Sequence, residues 1–335
     1  MAAPPAPKPS RRPLWALGVI SGVIAAAALG LWQISRQGGE LVVAITNWPA
    51  YEYFYLAENK DLARPFGLNL RVAQYSSLFD QRQAYERGDA QAIATTLSEA
   101  IAICQEMPAR CPLLILVLDQ SLGADRILAH APISTPQQLL GKRVGLENAV
   151  LAEYMLMRSL GDRPRPLGRE MRLRYDVPEA LVQKFKAGEL DAFVTYHPYD
   201  TGLEGDPTIR EVFSSRRIPG EIVDVLAVDP AYAAKHPDDL RALLRTWWAT
   251  RRYARQNPIQ ASTVMGQRQQ LTPSQFQASE RGLHYPSVAE QAPLLAPDGP
   301  LSRTLRRMSD LMRTSGRIQP NTPQPSLSRD FLVTP

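Results

Sequence analysis

The sequence predicts an α/β protein of two similar lobes with mainly parallel sheets, preceded by one membrane-spanning helix. Three observations carry this. Short apolar runs alternate with helical stretches, one helix–strand unit occurs twice, and one long uncharged run stands near the N-terminus.

The uncharged run extends from Pro13 to Ile34, PLWALGVISGVIAAAALGLWQI, a length of 22 residues. At about 1.5 Å per residue a helix of that length matches a hydrocarbon core of about 30 Å. Trp15 and Trp32 stand near its ends, where amphipathic rings favour the interface. Lys8, Arg11 and Arg12 precede it, so residues 1–12 are expected in the cytoplasm and the chain from residue 37 onward outside. The competing reading is a cleavable signal peptide, for which Ala26 to Ala28 offers small residues, although its apolar region would be shorter. No cysteine precedes Cys104, which excludes a lipid-modified cysteine at the start of a mature protein.

The net charge of +5 has the same origin. Residues 1–36 hold four cations and no acid, so everything after Arg36 carries only the remaining +1. A nucleic-acid partner is therefore not expected.

Beyond Gly38 and Gly39, buried strands are expected at 41–45, 113–118, 144–146, 192–195 and 222–228, and a half-exposed one at 68–75. The clearest helix is 238–256, where Leu240, Leu243, Leu244, Trp247 and Trp248 recur at three- and four-residue spacing between Pro237 and Pro258. That stripe reads as core. Strands separated by helices imply a mainly parallel sheet with helices on both faces.

AYERGDAQAIATT (84–96) and KFKAGELDAFVTY (184–196) echo each other as helix, glycine, acid and apolar strand. Gly88 matches Gly188, Ala92 matches Ala192, and Thr95 matches Thr195. Each glycine is placed to end its helix in a left-handed conformation. The echo implies two α/β lobes, whose strand ends would face each other across a cleft. Residues 316–335, rich in proline, read as a tail on the surface or disordered.

The two cysteines, Cys104 and Cys111, lie in ICQEMPARCP. Outside the cytoplasm they read as a disulfide closing a small loop; the alternative is two buried free thiols. No histidine lies within ten residues of either, and no metal site is expected.

Catalytic motifs are missing: there is no Gly-x-Ser-x-Gly, phosphate-binding glycine loop, His-Glu-x-x-His or dinucleotide fingerprint. Strand ends, in contrast, carry polar and aromatic clusters at Thr46–Tyr51, Thr95–Ser98, Asp119–Asp125, Glu147–Ala149 and Tyr196–Tyr199. Each could be only a turn, but five in succession favour a small-molecule cleft. Glu147–Ala149 opens a helix whose amides could accept an anion. His197 could line the cleft or serve the surface.

The chain resembles the periplasmic binding proteins of the nitrate, sulfonate, taurine and thiamine-precursor group. The resemblance covers roughly residues 41–315 and rests on NWPAYEYFYLAENKDL (47–62), YERGDAQAIATTLSEA (85–100), LDQSLGADRILA (118–129), LLGKRVGLENAVLAEYML (139–156), GELDAFVTYHPY (188–199) and FSSRRIPGEIVDVLAV (213–228). It implies two Rossmann-like lobes, 41–126 plus 223–315 and 127–222, hinged by two crossing strands. It places Asn47, Trp48, Pro49, Tyr51, Thr95, Thr96, Ser121, Glu147, Tyr196 and Asp224 at ligand-contacting positions, with Trp48 as a stacking wall. Asp224 would pair with a cationic or amino group, or else serve as a helix cap or inter-lobe salt bridge. Asp125 would be structural, at the hinge.

The function implied is the solute-binding receptor of an ABC-type importer, with a small-molecule ligand, permease and ATPase partners, and no cofactor. It would sit at the cytoplasmic membrane as a single-pass protein with its binding domain in the periplasm or extracytoplasmic space. A membrane-anchored ligand sensor is the alternative. A pyrimidine-precursor synthase is disfavoured, because the cysteine cluster such enzymes use is missing.

Overall fold

The computed structural model describes residues 39–161 and 167–334. The expected cytoplasmic N-terminus and membrane span at 13–34 lie outside the described residues. Among the described residues no helix is long and apolar enough to cross a membrane.

The chain opens with β1 (Leu41–Ile45), α1 (Glu52–Asn59), β2 (Leu70–Gln74), α2 (Leu78–Arg87), β3 (Ala92–Thr96) and α3 (Leu97–Glu106). Helix α2 starts where the Ser77 hydroxyl accepts the Asp80 amide and stops at Gly88, whose φ of +83° suits a residue without a side chain. A disulfide joins Cys104, in the last turn of α3, to Cys111, just before β4 (Leu113–Ser121).

From β4 the chain crosses into a second sheet through β5 (Asp125–His130). It then adds β6 (Arg143–Glu147), α4 (Val150–Ser159), β7 (Arg172–Asp176), α5 (Pro178–Lys186), β8 (Ala192–Tyr196) and β9 (Ile209–Ser214). It returns through β10 (Val223–Val228) and continues with helices that include α6 (Pro237–Gln256) and α7 (Pro258–Arg268), and with β11 (Leu283–His284) and β12 (Ser326–Leu327). The first sheet runs β11-β4-β10-β3-β1-β2, with β12 also on β4; the second runs β7-β6-β8-β5-β9.

Both sheets are mixed, which corrects the expectation of mainly parallel ones. β1, β2 and β3 are mutually parallel, as are β6, β7 and β8. The remaining principal strands, β10 with its neighbours and β5 with its neighbours, pair antiparallel. The physical reason is the crossing itself. β4 passes into β5, and β9 into β10, without an intervening α-helix to carry the chain back to its starting edge.

The sequence echo is a real repeat of plan. Ala92 pairs with Val43 of β1, and Ala192 pairs with Val144 of β6. Gly188 takes a φ of +73°, close to that of Gly88. The aromatic stripe of α6 is core: Trp247 is buried against Phe54 and Tyr53 of α1.

Of the two readings of the proline-rich segment after Arg317, a tail on the surface or a disordered one, the structure has the first. Ser326 and Leu327 pair in parallel with Leu113 and Leu114, and Phe331 is buried. The apolar side chains of Leu327, Phe331 and Leu332 pack onto the body and hold the segment down.

Candidate functional site

A cavity lies between the two sheets, beyond the carboxyl ends of their parallel strands. The first sheet and its helices contribute Thr46, Trp48, Tyr51, Leu78, Thr96 and Asp224; the second contributes Asp125, Leu151 and Tyr196. It is tight, with about 20 Å³ for the centre of a water-sized sphere, room for roughly one water.

Local structure explains why these side chains converge. Thr46 and Thr96 sit at or just past the ends of β1 and β3, and Tyr196 ends β8 at the position that answers Thr96 in the repeat. The two halves of the repeat thus face each other across the cavity. The Trp48 and Tyr196 rings meet edge to face at 5.7 Å, one from each side, a favoured aromatic geometry. Tyr51 lies at 6.5 Å from Trp48.

Three carboxyls underlie these rings. Asp224 on β10 stands in direct register with Asp119 on β4, and Asp125 opens β5 opposite Tyr196. All three are buried. The Trp48 indole donates to Asp119 Oδ2 at 3.1 Å, the Asp119 and Asp224 carboxyls are hydrogen-bonded to each other, and Asp125 Oδ2 has no hydrogen-bond partner among the described residues. Burial is the main force raising these groups above the ordinary carboxyl range. Asp125 is pushed up to about 6, aided by the charge of Asp200 and opposed by Ser121, His197 and Arg126. Asp224 is raised by burial and then by the charges of Asp119 and Asp125, with the Tyr51 hydroxyl opposing. Asp119 is raised by burial, with Trp48, Asp224 and Arg251 opposing.

Two further carboxylates bridge the sheets. Glu147 at the end of β6 accepts the Leu78 amide at the start of α2 at 2.8 Å and the Tyr196 hydroxyl at 2.8 Å. Burial pushes it up to about 7 against those two bonds. In the opposite direction, Glu99 of α3 accepts the Val150 amide at the start of α4 at 2.5 Å, while Arg82 braces its other oxygen. Each sheet's carboxylate therefore caps a helix of the other. The α4 amides, read from the sequence as an anion site, are taken up by Glu99.

Of the sequence-derived candidates, Trp48, Tyr51, Thr96, Tyr196 and Asp224 line the cavity. Thr95 is buried beside it with its hydroxyl unpartnered, and Glu147 backs Tyr196. Ser121 lies at the crossing, bonded to Ser215 at 2.7 Å and accepting the Asp125 amide at 3.1 Å. Asn47 turns to a neighbouring depression, where it donates to the Tyr199 hydroxyl at 3.3 Å. Pro49 is buried without lining the cavity. His197 is held by Arg126 and Asp200, also away from the lining.

The sequence reading has Thr46 and Asp119 in its strand-end clusters without naming them as ligand contacts, does not name Leu78 or Leu151, and takes Asp125 as structural. Asp125 instead reaches the cavity. Its pairing with Tyr196 was the missing signal, and it is visible only once β5 is placed antiparallel to β8.

The sequence model of the NMT1-like family matches residues 42–265. The chain belongs to the NMT1-like family. Its fold is that of the periplasmic solute-binding proteins of ABC importers. This NMT1-like chain is similar to the alkanesulfonate-binding protein SsuA from Xanthomonas axonopodis pv. citri, solved bound to MOPS, with a TM-score of 0.69, 15% identity, and coverage of 86% of this chain and 96% of that one. It is similar also to the aliphatic sulphonate-binding protein SsuA from Escherichia coli, with a TM-score of 0.65, 15% identity and coverage of 85% and 95%. The nitrate-binding protein NrtA from Synechocystis PCC 6803 aligns with a TM-score of 0.63, 10% identity and coverage of 84% and 83%. These similar structures are binding proteins. No curated protein sequence matches the chain. Among the described residues of this NMT1-like chain, no group of three or more His, Cys, Asp or Glu side chains could hold a metal ion.

Proposed function

We propose that this chain is the extracytoplasmic solute-binding receptor of an ABC importer, capturing a small solute between its lobes and delivering it to a permease and ATPase. The observation that carries the reading is the cavity walled from both sheets, with Trp48 and Tyr196 meeting across it. A site whose walls belong to two bodies is complete only when they close, so a ligand touching both walls favours closure. The binding roles named in the titles of the similar sulfonate and nitrate proteins support the same reading.

On this proposal residues 41–126 and 223–315 form lobe one, 127–222 form lobe two, and the crossings at 121–125 and 214–223 are the hinge. The run at 13–34 would tether the receptor to the cytoplasmic membrane with its lobes outside.

The test is to release and identify by mass spectrometry any small molecule retained by the purified full chain, beside the Trp48→Ala variant. A solute held by the wild type and lost from the variant supports a receptor. A further check is a thermal-shift screen with sulfonates, nitrate, bicarbonate, amines and pyrimidines. A ligand at a hundredfold over its Kd stabilises by about 2.7 kcal/mol. No retained solute and no shift with any class would count against the receptor.

A further inference from the structure

We propose that the cavity selects a small organic ammonium, a protonated primary amine, and rejects oxyanions. The inference rests on the receptor reading and gives its ligand a chemical class.

The lining decides the sign of the charge. Asp224 and Asp125 are each 2% exposed and both line the cavity; Asp125 Oδ2 has no hydrogen-bond partner among the described residues, and Asp224 is met only by the Asp119 carboxyl and the Tyr51 hydroxyl. A buried acceptor left unsatisfied costs free energy, and an ammonium brings three N–H donors and a compensating charge. Among the described residues no lysine or arginine lines the cavity. Trp48, Tyr51 and Tyr196 supply aromatic rings, whose faces attract cations.

Two of the helix starts that could hold an anion are occupied. The amides that open α2 and α4 meet the two sheets' interface, and each set already binds a protein carboxylate, Glu147 at Leu78 and Glu99 at Val150. An oxyanion seated at either would have to displace a protein carboxylate, and anywhere in the cavity it would face Asp125 and Asp224. The small volume favours a compact headgroup over a bulky one.

Charge also fixes the proton balance. An ammonium binds best to ionised carboxylates, so its binding should release protons and tighten as pH rises. The groups that face the pair are Asp119 and Tyr51 at Asp224, and Asp200, His197, Arg126 and Ser121 at Asp125.

The test uses ethylammonium and ethanesulfonate, which share a carbon skeleton and differ in headgroup charge. Each is titrated calorimetrically into the full chain at about pH 6 and about pH 8. We expect ethylammonium to bind more tightly at the higher pH, with protons released. Asp224→Asn should weaken it roughly tenfold or more, and ethanesulfonate should neither bind nor compete. Asp125→Asn gives the same reading should the first variant fail to fold. Ethanesulfonate binding in place of ethylammonium, lost in Trp48→Ala, would overturn the cation inference and leave the receptor standing. Binding of neither probe would also overturn it, and the retained-solute experiment then decides the receptor reading separately.

Discussion

Asp119 and Asp224 stand directly opposite each other on adjacent antiparallel strands, and both are buried. Like charges in that register repel, and among the described residues neither is ion-paired with an arginine or lysine, Arg251 acting on Asp119 only through its charge. The pair is tolerable when at least one carboxyl keeps its proton. Stability should therefore depend on pH in a sense opposite to ordinary acid denaturation.

Asp125 and Glu147, raised to about 6 and about 7, add to this. A carboxyl whose pKa is raised by folding contributes stability that is full below its unfolded value of about 4 and is lost as pH climbs through the folded value. The ligand-free protein should melt a few degrees higher at about pH 5 than at about pH 7.5. The opposing groups lowered by their partners, Asp176, Asp191 and Glu290, act only below about pH 4. Thermal melts across this range check it, and a melting temperature that climbs from pH 5 to pH 7.5 would contradict it.

Trp48→Phe keeps a ring but removes the N–H that Asp119 Oδ2 accepts. The buried oxygen then lacks a partner, at a cost of about 1–3 kcal/mol. Because a protonated Asp119 tolerates the loss better, urea titrations should show a larger cost at about pH 8 than at about pH 5. An equal cost at both would argue against an ionised acceptor.

Glu147→Ala removes the acceptor for the Leu78 amide and the Tyr196 hydroxyl at once. Both donors regain partners only by meeting water, which requires the sheets to part. Small-angle scattering should give a larger radius of gyration than for the wild type. An unchanged radius would show that Glu147 does not hold the two sides together.

Gly88→Ala and Gly188→Ala place a side chain at φ values of +83° and +73° with no closer neighbour than Arg110 at 3.8 Å. Strain rather than clash sets the cost, about 1 kcal/mol each. Nearly equal losses in urea denaturation are expected from the shared plan, and a loss at one site alone would break the equivalence.

Much of this fold was legible because its central strands are buried on both faces and read as continuous apolar runs, as in Leu41–Ile45 and Leu114–Leu118. The edge strand β7 was not, since Arg172 and Arg174 are exposed and the run RLRYD carries no apolar signature. Strand direction was missed for a different reason: alternation of helix and strand does not record where the chain changes sheets. At the site, Trp48, Tyr196 and Asp224 were visible as polar and aromatic residues at strand ends. Leu78 and Leu151 were not, because nothing distinguishes an apolar side chain facing a cavity from one facing the core.

The chain visits the first sheet, leaves it, and returns, and this order constrains synthesis. All five strands of the second sheet lie between Asp125 and Ser214, so that sheet has its complete set once the chain has been made that far. The first sheet does not: β4 waits for β10 on one side and for β11 and β12 on the other. Until those strands arrive, the apolar run Leu113–Leu118 has no neighbours for its backbone groups and stands as an open edge. A chain emerging from its N-terminus therefore finishes its inserted half before its outer one, and exposes its most hydrophobic strand for the whole interval between.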